Sequence, residues 1–308
     1  MIERNKLRGI VPPMVTPLCE DGKTVHEAGV HQLVERLLGQ GVHGVFVGGT
    51  TGEVYALDDE QWSCLVRFAV EACKGRVPLY AGVSSPSTGL AVGRARRAEQ
   101  LGADVVVSLA PYYISASQSD LVRHFAALAS ATALPTLVYQ YPGIVQVSIS
   151  LDTYTRLAAI PGVVGIKDSQ GDVTEFRRMV EVLRSNGRDM RLFLGTDTLT
   201  DVTVLIGAQG TVPSLGNIAA PWLVEAYEAA VSGQWERSAV AQAKASKLKA
   251  IYGVAGPESA FRGVFAGLKC ALNLLGVEVG PTAPPMLPCN ADETRAIESL
   301  LREQGLLA

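Results

Sequence analysis

The sequence predicts a (β/α)8 barrel, or TIM barrel, with a C-terminal helical extension. Short apolar segments rich in β-branched residues alternate along the chain with longer segments of helical periodicity. This alternation is typical of a parallel sheet covered by helices. The 308 residues, of which 48% are hydrophobic, suffice for one such barrel and an extension. We therefore expect a barrel that carries the active site over residues 1–232 and a helical segment over residues 233–308.

Eight apolar segments predict the strands of the barrel. Several of them are continuously apolar instead of alternating with polar residues, which is typical of strands that are buried on both faces. Polar loops follow them, and we expect the strands to end there. The eight segments are Gly9–Val15, Gly44–Val47, Val77–Gly82, Ala103–Ser108, Thr136–Tyr139, Val163–Lys167, Arg191–Gly195 and Gly210–Val212.

Segments of helical periodicity predict helices between the strands and after the barrel. In the first segment, apolar residues from Val30 to Leu38 recur at intervals of three and four, which places them on one face of a helix. Thr24 and Glu27 precede it with the spacing of a capping box. The proline-rich stretch 280–288 predicts a linker. The other predicted helices span 58–73, 87–101, 118–131, 150–160, 172–185, 197–206 and 217–232 and, in the extension, 234–253, 258–275 and 291–305.

Composition and charge argue against several functional classes. A net charge of −3 and a pI of about 5.9 do not favour nucleic-acid binding, which usually needs a basic face. No apolar run reaches the roughly 18 residues of a membrane span, and the N-terminal residues lack the apolar core of a signal peptide. The five cysteines lie far apart, and the four histidines form no pair with the HxH or HxxxH spacing of metal ligands. We therefore expect a cytoplasmic protein that binds no membrane and needs no metal or other cofactor.

Lys167 ends the sixth predicted strand, where a barrel of this type places its active site. Because a buried ammonium group is costly without a partner, the residue has two interpretations. It forms an ion pair with a carboxylate such as Asp168, or it is an amine nucleophile. In water only about one lysine in a thousand is a free amine near neutral pH, whereas an apolar environment that lowers the pKa by about 3 units raises that fraction several-hundred-fold.

Two further features lie at neighbouring strand ends. Tyr139 ends the fifth predicted strand, and adjacent parallel strands are roughly 4.8 Å apart. A tyrosine beside an amine nucleophile can relay protons in Schiff-base chemistry, whereas an isolated Tyr139 would be a core aromatic residue. The loop Gly48–Glu53 contains three glycines and two threonines, whose N–H and O–H groups suit a carboxylate. A plain tight turn explains the loop equally well, and no lysine follows it as in a phosphate-binding loop.

Taken together, these motifs resemble those of the dihydrodipicolinate synthase and N-acetylneuraminate lyase superfamily. Gly49–Glu53 (GTTGE), Pro111–Tyr113 (PYY), Tyr139 and Gly165–Lys167 (GIK) occur in this order, each at the end of a predicted strand. The resemblance covers the chain from the first predicted strand to the C-terminal helices. It implies a (β/α)8 barrel, class I aldolase chemistry on a 2-oxo acid, and a homotetramer arranged as a dimer of dimers.

The resemblance also assigns roles to individual residues. Lys167 matches the lysine that forms the Schiff base, and Tyr139 matches the tyrosine that relays protons. Thr51 matches a member of the same relay, and Tyr113 matches a tyrosine that family members insert into the active site of a neighbouring subunit. The positions that match substrate-binding residues are Gly49, Thr50, Ile144, Gly195, Asp197 and Val212.

The chain departs from both specialised patterns of the superfamily. The synthases carry an arginine for the carboxylate of their second substrate where this chain has Ile144. The lyases place a pair of acids after the seventh strand, where this chain has Asp197 followed by Thr198. We therefore expect a Schiff-base lyase, an aldolase or dehydratase, that acts on a pyruvate-like 2-oxo acid such as a 2-keto-3-deoxy sugar acid. The alternative is 4-hydroxy-tetrahydrodipicolinate synthase, which condenses pyruvate with aspartate semialdehyde.

Two interpretations from other classes remain. A catalytically idle relative would bind a 2-oxo acid as a sensor, although the complete set of Lys167, Tyr139 and Thr51 argues against it. An unrelated phosphosugar enzyme would need a glycine-rich phosphate site after the last two strands, where glycines are sparse.

Regulation by free lysine is a separate question. The resemblance implies that lysine-inhibited relatives bind the amino acid at a dimer interface through polar side chains. We expect no such inhibition, because the matching positions of this chain have lost those groups; they hold Asp59, Trp62, Pro86 and Leu90.

Overall fold

In the computed structural model, which describes residues 2–257 and 259–307, eight parallel strands form a barrel. Every described strand is short, and all strand residues except the half-buried Arg191 are buried, which agrees with the continuously apolar segments of the sequence. The predicted (β/α)8 barrel is confirmed. The strands are β1 (Gly9–Ile10), β2 (Val45–Val47), β3 (Leu79–Gly82), β4 (Val105–Leu109), β5 (Thr136–Gln140), β6 (Val163–Asp168), β7 (Arg191–Leu194) and β8 (Gly210–Thr211).

The sheet closes on itself at the first strand. Neighbouring strands pair in parallel from β2 through β8, and β8 pairs with β1. Backbone hydrogen bonds then join the segment after β1 to β2: Phe46 N donates to Pro12 O at 3.1 Å, and Met14 N donates to Phe46 O at 2.8 Å. The predicted first strand, residues 9–15, is therefore regular only over its first two residues, because Pro12 and Pro13 have no N–H group to donate to a ladder.

Nine helices cover the strands or lie between them, and four more follow the barrel in the described part of the chain. The helices of the barrel are α1 (Glu27–Gly39), α2 (Asp59–Cys73), α3 (Thr88–Leu101), α4 (Gln118–Ser130), α5 (Pro142–Val145), α6 (Leu151–Leu157), α7 (Val173–Ser185), α8 (Thr200–Thr203) and α9 (Gly216–Val231). Those of the extension are α10 (Trp235–Lys247), α11 (Ala250–Ala255), α12 (Ala260–Leu274) and α13 (Ala291–Glu303). No described helix is long and apolar enough to cross a membrane.

Several predicted helices differ from the structure. The prediction of a capping box at the start of α1 is wrong. His26 is the residue that precedes the helix, and the Thr24 hydroxyl donates to Asp21 at 2.6 Å instead. The predicted helix 234–253 is two helices, α10 and α11, and the predicted helix 197–206 is reduced to α8. The predicted start of the next helix at residue 258 lies outside the described residues.

Candidate active site

A cavity of about 510 Å³ opens at the carboxyl ends of the strands, where barrels of this fold carry their active sites. It is lined by residues from the strand ends and from the C-terminal extension. The residues predicted from the sequence that line it are Thr50, Thr51, Tyr139, Lys167, Gly195, Asp197 and Val212.

Lys167 lies near the end of β6 with only 4% of its surface exposed. Its Nζ atom is 3.7 Å from the ring centroid of Tyr139 and 5.0 Å from that of Phe46. None of the salt bridges of the described residues includes this amine. Burial lowers the pKa of Lys167 to about 7, so a large fraction of the side chain is the uncharged amine near neutral pH.

The alternative interpretation, an ion pair between Lys167 and Asp168, is wrong. Successive residues of a strand point to opposite faces, so the carboxylate lies on the other side of β6. Asp168 Oδ1 accepts a hydrogen bond from the backbone N of Gln170 at 2.8 Å. The cavity therefore contains an amine without a neighbouring counter-ion, as a nucleophile requires.

Tyr139 lies directly beside Lys167 because β5 and β6 are paired with these two residues in register. Its hydroxyl is 3.5 Å from Thr50 Oγ1 and shares a hydrogen bond with Ser169. Burial raises the pKa of Tyr139, and these two hydrogen bonds partly offset that effect. A neutral phenol with hydroxyl neighbours can pass a proton to or from a group on the amine.

The two threonines of the Gly48–Glu53 loop have different partners. Thr50 Oγ1 approaches the Tyr139 hydroxyl, whereas Thr51 Oγ1 lies 2.9 Å from Ser214 Oγ. The hydroxyl next to Tyr139 is therefore that of Thr50, not that of Thr51, in this structure. Both side chains line the cavity, so the loop presents two hydroxyls to a bound ligand.

The same loop is anchored to the C-terminal extension by a buried ion pair. Glu53 Oε2 lies 2.6 Å from Lys269 Nζ of α12, and the two side chains are 0% and 2% exposed. Glu53 Oε1 also accepts the backbone N–H of Ala283 at 2.8 Å. Glu53 itself has a left-handed backbone with φ of 53°. These contacts fix the conformation of the turn that carries the two threonines.

Asp197 forms a second polar group on the cavity wall. Its Oδ1 accepts the backbone N–H of Leu215 at 2.8 Å, and its Oδ2 accepts the hydroxyl of Tyr252 at 3.1 Å. Burial raises the pKa of Asp197. Among the described residues that line the cavity, it is the one carboxylate, and histidine and cysteine are absent, so the wall offers no cluster of metal ligands.

The segment after β6 passes so close to the end of β7 that position 195 has no room for a side chain. A Cβ atom built on Gly195 would lie 1.9 Å from Ser169 Oγ. Any side chain here would displace the serine that hydrogen-bonds to Tyr139. Val212 completes this wall, and its backbone N donates to Leu194 O at 2.8 Å.

A family model for the dihydrodipicolinate synthetase family matches residues 6–304. The chain belongs to this family. It is 34% identical over 303 residues to a 4-hydroxy-tetrahydrodipicolinate synthase of Phenylobacterium zucineum, covering 97% of this chain and 98% of that relative. A dihydrodipicolinate synthase from Bacteroides thetaiotaomicron has a TM-score of 0.90 at 32% identity, covering 96% and 98% of the two chains. YagE, a prophage protein of the family from E. coli K12 solved with pyruvate, has a TM-score of 0.90 at 26% identity, covering 97% and 99%.

Membership of the dihydrodipicolinate synthetase family makes the chain a lyase of the class I aldolase type. Within one chain, however, three of the predicted site residues do not line the cavity: Gly49, Tyr113 and Ile144. Tyr113 is 94% exposed. Gly49 is buried, and a Cβ atom built on it would lie 2.8 Å from the Phe46 ring. Ile144 is half-buried in the short helix α5.

The sequence-based prediction missed the contribution of the extension. Eight residues of 233–308 line the cavity, and Lys249 is the cationic one among them. Their spacing resembles that of any amphipathic helix, so no local motif distinguishes them from ordinary packing residues. Ser169 and Ser214 were missed as well, although each follows a predicted strand. The residues from the extension are Lys249, Tyr252, Gly253, Gly256, Ala260, Phe261, Val264 and Phe265.

Proposed function

We propose that the chain forms a Schiff base between Lys167 and the keto carbon of a pyruvate-like 2-oxo acid, and that it cleaves or forms a bond to an aldehyde partner. One observation carries the proposal: the Lys167 amine is buried in the cavity without a counter-ion and lies 3.7 Å from the Tyr139 ring. The proposed substrates are 2-oxo acids such as 2-keto-3-deoxy sugar acids. The family relationship and the pyruvate in the YagE structure support a 2-oxo acid as the ligand.

The geometry of the site suggests how each residue acts in cleavage. The carboxylate of the 2-oxo acid would bind the hydroxyls and backbone of the Gly49–Thr51 turn. The Lys167 amine attacks the keto carbon and forms a carbinolamine. Tyr139 then passes a proton to the hydroxyl of the carbinolamine, which loses water and becomes an imine. Loss of the proton from the C4 hydroxyl then breaks the C3–C4 bond, releases the aldehyde and leaves an enamine. Protonation of C3 and hydrolysis release pyruvate and restore the amine.

A second candidate is 4-hydroxy-tetrahydrodipicolinate synthase activity, which the names of the relatives suggest. The partner of pyruvate in that reaction carries a carboxylate. Ile144 replaces the arginine that would bind it, but Lys249 supplies a cation on the cavity wall. A neutral donor such as the Tyr141 hydroxyl suits the hydroxyls of a sugar acid, so we place the sugar-acid reaction first.

Two properties of the assembly belong to the same proposal. The exposed Tyr113 suggests that a second subunit completes each site, and we propose the homotetramer that the family resemblance implies. A cytoplasmic location is proposed from the cysteine usage.

Reductive trapping tests the Schiff base directly. Purified protein is incubated with pyruvate and borohydride, and its peptides are mapped by mass spectrometry. The Lys167 peptide should carry one reduced pyruvyl group, and Lys167→Ala should carry none. The exposed Lys247→Ala variant is the matched control and should be labelled like the wild type. An equal adduct in Lys167→Ala would refute the proposal.

A substrate panel then separates the two candidate reactions. Release of pyruvate is measured from several 2-keto-3-deoxy sugar acids, and condensation is measured with pyruvate and aspartate semialdehyde. We expect the higher kcat/KM for a sugar acid. A higher kcat/KM for aspartate semialdehyde would favour the synthase and leave the Schiff-base proposal intact.

A further inference from the structure

Two cysteines from different elements of the extension face a second cavity, outside the barrel mouth. Cys270 lies on α12, and Cys289 immediately precedes Asn290, which caps α13. Both thiols are free and half-buried, and both line the cavity, which has a volume of about 860 Å³. Cys19, before the first helix, lines the same cavity, so a small reagent there has access to three thiols. None of the steps proposed for the active site uses them.

The two thiols contact each other, and their surroundings favour one of them as a thiolate. Cys289 donates a hydrogen bond to Cys270, and Cys270 Sγ lies 3.7 Å from Thr294 Oγ1 in the first turns of α13. The hydrogen bond from Cys289 lowers the pKa of Cys270 to about 7. The same contact raises the pKa of Cys289. The N-terminus of α13, a helix of 13 residues, adds its partial positive charge.

Arg262 holds the segment that carries Cys289 against α12. Its guanidinium donates to Leu287 O at 3.1 Å and to Pro288 O at 3.0 Å, and it pairs with Glu293 at 2.8 Å. The spacing between the two thiols is therefore fixed by contacts on either side of them. A disulfide between them requires their Cβ atoms to lie about 3.8 Å apart.

We propose that Cys270 and Cys289 form a redox-active dithiol that a peroxide oxidises to a reversible disulfide. The Cys270 thiolate attacks one oxygen of hydrogen peroxide, the O–O bond breaks, and the products are a sulfenic acid and, after protonation of the leaving hydroxide, water. Cys289 then attacks the sulfenic sulfur, the S–S bond forms, and a second water leaves. The two thiols lose two electrons and two protons, which reduce one peroxide to two waters.

The other cysteines provide a comparison within the same chain. Cys73 is 2% exposed, and burial raises its pKa to about 12, so it should resist oxidation. Cys64 is half-buried on α2, like Cys270 on α12, and it lies outside the cavity. We expect Cys270 to react with peroxide about tenfold faster than Cys64, because only the thiolate is the nucleophile.

Peptide mapping of the full chain tests the proposal. The protein is treated with equimolar hydrogen peroxide at neutral pH, free thiols are alkylated, and digests are analysed by mass spectrometry. The expected product is a linked Cys270–Cys289 peptide that dithiothreitol separates. Cys289→Ser should leave a sulfenic acid on Cys270 that dimedone traps, whereas Cys270→Ser should leave Cys289 reduced. Cys64→Ser is the control and should form the link like the wild type.

Two results would overturn the proposal. One is a wild-type digest in which Cys270 and Cys64 are oxidised at the same rate. The other is a digest in which Cys270 is oxidised but is linked to Cys19 or to no second thiol. Both are read from the wild-type chain, so the decision does not depend on how the variants fold.

Discussion

Lys167 shows how a barrel interior changes the chemistry of one side chain. Two aromatic rings surround its amine, and the adjacent carboxylate of Asp168 faces away. Burial disfavours the ammonium form, which lowers the pKa of Lys167 from 10.5 to about 7. The fraction of free amine at pH 7 is then roughly a thousand times that of a lysine in water. The same burial keeps the Tyr139 phenol protonated, because it raises that pKa.

The first prediction concerns the pH dependence of Schiff-base formation. Below pH 7 the lysine is protonated and unreactive, so the rate of trapping with pyruvate and borohydride should rise about tenfold per pH unit at low pH. Above about pH 8 the rate should be constant, since the amine is then already free. Trapping rates measured between pH 5.5 and 9 check this. A rate that still rises tenfold between pH 8 and pH 9 would show that the lysine has its ordinary pKa.

The second prediction concerns the partner of pyruvate. A charge-assisted hydrogen bond contributes about 1.5–3 kcal/mol, which is roughly 10- to 150-fold in kcat/KM. Ile144→Arg should therefore raise kcat/KM for aspartate semialdehyde by at least about tenfold. Trapping of pyruvate by Lys167 should change little, because the arginine would bind the carboxylate of the second substrate and not pyruvate.

Lys249→Met is the companion variant in that experiment. If Lys249 already binds a carboxylate, the substitution lowers kcat/KM for aspartate semialdehyde and Ile144→Arg adds nothing. That pair of results would show that the extension supplies the cation which we expected to be missing.

At the scale of elements, the C-terminal extension and the Gly48–Glu53 loop act as one unit. The ion pair between Glu53 and Lys269 is almost completely buried, and it ties α12 to the turn that carries Thr50 and Thr51. Removing one partner of such a pair leaves an uncompensated charge in the interior, which costs about 3–5 kcal/mol. The helices after the barrel therefore support the active site as well as lining it.

The third prediction tests this anchor. Lys269→Met should lower the free energy of unfolding, measured by urea denaturation, by about 3–5 kcal/mol. The double variant Glu53→Gln/Lys269→Met should be more stable than the single one, because it buries no unpaired charge. Arg295→Ala, which breaks an exposed pair with Asp292, is the control and should cost less than about 1 kcal/mol. If Lys269→Met lowered the free energy of unfolding by no more than the control does, the anchoring role would be contradicted.

At the scale of the whole molecule, the side chain of Tyr113 is not packed against the rest of its own chain. It is 94% exposed, its backbone φ is 78°, and the next residue, Ile114, is 72% exposed. A positive φ is strained for a residue with a side chain. A strained and exposed aromatic residue next to an exposed isoleucine suggests contact with a second subunit.

The fourth prediction is complementation between subunits. Tyr113→Phe and Lys167→Ala should each be nearly inactive, with a loss of about 10²-fold or more for the tyrosine variant. Unfolding and refolding a mixture of the two should restore up to about a quarter of the wild-type activity, because half of the symmetric dimers are hybrids with one intact site. An inactive mixture would contradict the role of Tyr113 in the neighbouring site, and so would a monomer of full activity in light scattering.

The fifth prediction is that free lysine does not regulate the enzyme. Trp62 is 1% exposed, and its Nε1 donates to Gly82 O at 2.8 Å, so its only donor is already used. Asp59 pairs with Arg94 at 2.9 Å, and Leu90 offers no polar group. Calorimetry with millimolar lysine should show no heat of binding. A measurable heat would mean that other residues form the site.

The sequence alone determined the barrel and the centre of its active site. Strands that are buried on both faces must be continuously apolar, so the rare polar residues at their ends stand out, as Lys167 and Tyr139 do. The register of the parallel strands β5 and β6 then brings these two residues together. Turn motifs such as Gly49–Glu53 are local in sequence, because three glycines are needed within a few residues to form the turn.

Only the tertiary structure decided which distant residues complete the site. Lys249, Tyr252 and Phe265 reach the cavity through the fold of the extension, and their sequence pattern is that of ordinary helices. The partner of Lys269 is more than 200 residues away in the chain, so no local spacing could reveal it. The same holds for the contact between Cys270 and Cys289. Periodicity along the chain shows which face of an element is buried, whereas the packing of elements from distant parts of the chain decides what that face contacts.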